Sequence, residues 1–141
     1  MVIEKISLGA QIGGPDVPER VSDSIIVLRK ILTEECQGVY SSVINEFAFV
    51  LRIDGAIESW GKDGVERVRV QLKSGYVFAE VFFSKDSWSE NKGEKFLKIL
   101  ALNIRFGFEK MIEALKKKKI DISGDELLAN VDRAIGKFLS I

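Results

Sequence analysis

Between Phe47 and Trp88 the chain reads FAFVLRIDGAIESWGKDGVERVRVQLKSGYVFAEVFFSKDSW, with apolar and polar residues alternating. A period of two places every second side chain on one face of a strand, and a helix cannot use that pattern. Asp54-Gly55, Asp63-Gly64 and Ser74-Gly75 interrupt the alternation. Such dipeptides supply the backbone freedom that tight turns require. The segment therefore predicts an antiparallel β-meander. Phe47, Phe49, Leu51 and Ile53 share one face of its first strand, and Ala56–Trp60 is a short second strand. Val65–Leu72 alternates strictly, with Val68, Val70 and Leu72 opposite Arg67, Arg69 and Gln71. Tyr76–Phe83 is apolar on both faces, which predicts a central strand or one covered on both sides.

The flanking regions carry the helical period. Ile25, Leu28, Ile31, Leu32 and Cys36 form a stripe over residues 23–37, with Ser22 placed as N-cap and Gly38 as a left-handed terminator. Leu97, Leu100, Ala101, Ile104, Phe108, Met111, Ile112 and Leu115 predict a long helix over 94–119. Gly107 lies inside that helix, where it costs about 1 kcal/mol relative to Ala, and a close approach to the sheet would account for it. Ser123 and Glu126 have capping-box spacing ahead of a last helix over 124–139. Val2–Ile12 is a weak strand or an ordered arm. The fold class that follows is α+β: a meander sheet of four or five strands with N-terminal and C-terminal helices packed on one face, in a single domain spanning 1–141.

Composition narrows function more than it narrows fold. The 141 residues include no histidine and one cysteine, Cys36. That removes the commonest general base, the commonest metal ligand and every histidine-activated nucleophile. Cys36 lies on an apolar helix stripe and reads as a small core residue. No metal-ligand spacing, phosphate loop or nucleophile elbow is present, so neither a cofactor nor a metal is expected. Asp54, Glu58, Asp63 and Glu66 cluster around two tight turns. Acid–base catalysis would need two of them in a cleft. Aspartate before glycine is an ordinary turn choice, and the reading is non-enzymatic.

Lys/Arg and Asp/Glu number 21 each. Residues 1–60 carry five basic against nine acidic groups, and residues 96–141 nine against six. Neither half has the charge of a dedicated nucleic-acid binder. Arg67 and Arg69 beside Tyr76 and Phe78 come nearest to a base-stacking surface, but arginine stems covering aromatics explain them as well. The first residues lack the apolar run of a signal peptide, and no run approaches the roughly 20 residues needed to cross a bilayer. A cytoplasmic protein without membrane attachment is expected.

What remains is a surface for gripping a partner. Trp60 and Trp88 flank the meander, near Tyr76, Phe78 and Phe82, and Trp, Tyr and Arg anchor interfaces when exposed. Core or sheet–helix packing is the competing account, strongest for Phe82.

The pattern LRIDGAIESWGKDGVERVR, followed by YVFAEVFFSKDSW, resembles immunity proteins of bacterial polymorphic toxin and contact-dependent inhibition systems. The matching positions are Asp54, Gly55, Ile57, Trp60, Gly61, Gly64, Arg67 and Trp88, within residues 46–90. The resemblance implies a non-enzymatic protein of the bacterial cytoplasm that binds a cognate toxin domain and neutralises it. Asp54, Glu58, Trp60, Asp63, Glu66, Arg67, Tyr76 and Trp88 are then the expected partner-binding residues. The neutral net charge departs from the strongly acidic type in such families. A small-molecule or nucleic-acid binding module with a pocket between sheet and helices stays open as the alternative. So does a carboxylate-dependent enzyme.

Overall fold

The computed structural model describes residues 2–13, 19–54, 64–71, 75–84 and 94–140. Four strands and three helices follow one another in the order β1 (Lys5–Gly13), α1 (Glu19–Cys36), β2 (Glu46–Asp54), β3 (Gly64–Gln71), β4 (Tyr76–Ser84), α2 (Glu94–Lys117) and α3 (Gly124–Leu139). The architecture is α+β, as the patterning predicts, but the sheet is not an antiparallel meander. Its order is β1-β2-β4-β3. β1 runs parallel to β2, β2 parallel to β4, and β3 antiparallel to β4.

The reason lies in the connections. A meander requires β2 and β3 to be neighbours, and here β4 lies between them. β3 and β4 form the one hairpin among the described strands, and Gly75 sits between them at φ +73°. The N-terminal arm is a full strand, and β1-α1-β2 is a parallel crossover unit. A parallel strand is reached through such a crossover, so alternation within a strand says nothing about its partner's direction. The two-sided apolar strand β4 is central, as its sequence requires.

Phe47, Phe49 and Leu51 on β2, Val77, Ala79, Val81 and Phe83 on β4, and Ile6 and Leu8 on β1 are all buried in one core. The helices pack on this face. Phe108 of α2 meets Phe47 and Phe49 at ring-centroid distances of 5.5 and 5.1 Å, and Phe96 meets Phe83 at 5.9 Å. A Cβ on Gly107 would fall deep inside contact distance of the Phe49 ring, with Cζ at 3.1 Å. The glycine lets α2 settle onto the sheet at this point, which outweighs its helix-propensity cost.

α3 packs against both α1 and α2. The carboxylate of Glu35 on α1 pairs with Lys137 and Arg133 on α3. These cations hold its pKa below the ordinary carboxylate value, the Lys137 hydrogen bond contributing most. Cys36 is fully buried, and burial pushes its thiol up to about 12, which suits a core residue.

Helix ends differ in detail from the sequence expectation. α1 begins at Glu19, so Ser22 lies inside it rather than at its cap. Gly38 has φ +92° and its N–H donates to Ile3 O at 2.8 Å, the left-handed exit expected of it. Ser123 precedes α3, but its hydroxyl makes no capping bond, and the capping box with Glu126 does not form. The Ser123 carbonyl instead accepts from Leu127 N at 3.0 Å.

Candidate partner-binding surface

Alternation that sends one set of side chains into the helix layer sends the other set to the opposite face. On β2 these are Ala48, Val50 and Arg52, and on β4 Tyr76, Phe78, Glu80 and Phe82. Ala48, Val50, Tyr76 and Phe78 are half-buried, and Glu80 and Phe82 are buried at 5% and 7% exposure. Arg52 Nε lies 3.0 Å from Glu80 Oε2, and the Arg52 guanidinium sits 5.7 Å from the centroid of Phe82. A carboxylate this deeply placed needs a cation close by, and Arg52 supplies it from the neighbouring strand. Tyr76 and Phe78 form a tilted pair at 6.2 Å. At the margin, Ser7 Oγ donates to Glu46 Oε2 at 2.7 Å. The face therefore mixes aromatic area with paired charge, a composition suited to recognising another protein.

The predicted residues separate into three groups. Tyr76 opens β4, paired with Glu46 on one side and Gln71 on the other. Arg67 on β3 pairs in register with Glu80, and Arg69 with Phe78, so the Arg–aromatic juxtaposition expected between these strands is present at backbone level. Glu66 falls at a register shift between Val65 and Arg67. Asp54 ends β2, flanked by Gly13 of β1 and Ser84 of β4. The ends of β4 are roughly 26 Å apart at about 3.3 Å per residue, so Tyr76 and Asp54 belong to opposite ends of the sheet. Glu58, Trp60, Asp63 and Trp88 lie outside the described residues, as do the short strand expected at Ala56–Trp60 and two of the four residues of the acidic cluster. The carboxyl ends of the three parallel strands nevertheless lie together, at Gly13, Asp54 and Ser84. In open parallel sheets that end is where ligand-contacting segments emerge.

Two features escaped the sequence reading. The Arg52–Glu80 pair was signalled by a lone carboxylate inside the apolar strand YVFAEVFFS. The second is a groove of about 650 Å³ between α2 and α3, lined by Leu102, Phe106, Ile135 and Leu139. Leu102 is 71% exposed, and Arg105 crosses from α2 to Asp132 of α3 at 3.0 Å. Its signal was a pair of apolar residues, Leu102 and Phe106, lying four apart and off the buried stripe.

Among the described residues no cluster of three or more His, Cys, Asp or Glu could hold a metal, and no helix is long and apolar enough to cross a membrane. Comparison with known proteins found no matching family model, no curated relative and no similar solved structure.

Proposed function

We propose that the protein is a non-enzymatic immunity protein that binds a cognate bacterial toxin domain in the cytoplasm and neutralises it by stoichiometric contact. The observation that carries this reading is the sheet face turned away from the helices. It presents half-buried Tyr76 and Phe78 beside the Arg52–Glu80 pair, while the opposite face is spent on packing the core. Partly open aromatic side chains beside an arginine match the aromatic and arginine enrichment of protein interfaces. The segment from Asp54 to Arg67, which carries much of the immunity-protein resemblance, starts at the carboxyl end of β2 in this same sheet.

The test is co-expression with the product of the adjacent upstream gene. The expected outcome is a one-to-one complex that survives purification and protects cells from that product. A neighbour without toxicity, together with no binding near micromolar concentration, would overturn the reading.

A further inference from the structure

Among the described strands β1 has one neighbour, β2, and its other edge pairs with none of them. The N–H of Lys5 donates toward β2, to Asn45 O at 3.3 Å. By alternation the even-numbered residues of β1 turn their backbone groups outward. Ile6 confirms this, because both its outward groups are taken by one side chain of α1: Thr33 Oγ1 accepts from Ile6 N at 3.3 Å and donates to Ile6 O at 3.2 Å. Thr33 thus plugs the edge at a single residue. Beyond the plug the outward backbone of Leu8, Ala10 and Ile12 continues the edge.

Beside this edge runs a groove of about 540 Å³ between β1 and α1. Among the described residues Lys5, Arg29 and Lys30 line it, with one carboxylate, Glu34, and Ile26 adds an apolar wall that is 52% exposed. Natural sheets usually blunt such edges, and an edge left open beside a groove is suited to accepting an extended chain. A second copy of this protein is a poor occupant. Antiparallel pairing of two β1 edges would bring two sets of lysine and arginine together.

We infer that the β1 edge beyond Thr33, together with the basic groove along α1, accepts an extended acidic segment of a partner protein as an added strand. Backbone hydrogen bonds to Leu8, Ala10 and Ile12 hold the segment, and Lys5, Arg29 and Lys30 select its carboxylates. This surface is distinct from the aromatic sheet face and stands whether or not the partner is a toxin.

A fluorescein-labelled, end-capped octapeptide alternating Thr and Glu is the probe, read by fluorescence anisotropy at low salt. Binding about tenfold tighter than that of the Thr–Lys counterpart is expected, weakening as salt is added. Methylation of alternate backbone nitrogens in the probe should abolish it. The exposed double substitution Arg29→Glu/Lys30→Glu should reverse the preference between the two peptides without unfolding the protein. Ala10→Pro removes an outward N–H and spares the β1–β2 ladder; it should weaken binding of the Thr–Glu peptide about tenfold. No binding of the Thr–Glu peptide up to about 1 mM, equal binding of the methylated probe, or a concentration-dependent dimer that competes with the probe would each overturn the inference.

Discussion

The two faces of the sheet are built from the same strands and do opposite things. Toward the helices, Phe47, Phe49, Leu51, Val77, Ala79, Val81 and Phe83 are buried without a polar atom among their side chains. Away from the helices, Tyr76 and Phe78 are partly open, and polar groups come in pairs: Ser7 with Glu46, Arg52 with Glu80. Packing alone accounts for every residue on the first face. It does not account for an ion pair placed amid aromatics on the second, where apolar residues of similar volume would often be no less stable. That difference is the reason the outer face is the one proposed to meet a partner. The contrast breaks if substitutions on the two faces cost the same.

The largest separation is expected from Phe108. Its ring packs at a tilt against both Phe47 and Phe49 and is fully buried. Phe108→Ala should cost about 3–5 kcal/mol, read as a lower urea midpoint at unchanged slope. Tyr76→Ala, on the open face, should cost roughly 1 kcal/mol or less. Equal losses would mean that the outer face is core as well. Gly107→Ala probes the same contact from the other side. The added methyl would overlap the Phe49 ring, so the ring or the helix must shift, and the net cost should be about 1–3 kcal/mol despite the better helix propensity of alanine. A stabilised variant would show that α2 can lift off the sheet freely.

Much of this was legible in the chain. Residue alternation identified β2, β3 and β4 to within a few residues, and the two-sided apolar run YVFAEVFFS identified the central strand. Gly107 was readable as a point of close approach. Strand direction was not readable, because alternation is the same in parallel and antiparallel strands. The order β1-β2-β4-β3 depends on which strands meet across long connections, and local patterning does not record that. The site divided in a similar way. Tyr76 and Arg67, expected from residue type, occupy neighbouring strands, yet Asp54 lies at the far end of the sheet from Tyr76. Strand length, not sequence proximity, sets that distance. Arg52 and Glu80 went unremarked because they come together through a parallel register between segments 28 residues apart.

That pair gives the next measurement. Arg52→Ala removes the cation that lies 3.0 Å from the buried Glu80 carboxylate. Arg52 is itself about a third exposed, so solvent screens part of the effect, and a loss of about 1–2 kcal/mol is expected. A double-mutant cycle with Glu80→Ala should return a coupling of about 1 kcal/mol. Coupling near zero would mean that the two side chains act independently and weaken the case for an ordered binding face.

The smallest effect belongs to the rim of the helix layer, where Glu35 joins α1 to α3 through Lys137 and Arg133. Its carboxyl titrates below the ordinary value in the folded protein. A lowered folded pKa means that the unfolded chain takes up the proton first on acidification. The stabilisation is therefore fully present above the ordinary carboxylate range and is lost as pH falls through the folded value. Wild type and Glu35→Gln should differ most in thermal midpoint at neutral pH and converge in acid, with the wild type higher at neutral pH. Because the clamp holds one helix to another and touches neither sheet face, the substitution should leave partner binding unchanged. If it alters binding as well, the helix layer takes part in recognition, and the division of labour between the two faces is not the one drawn from the packing.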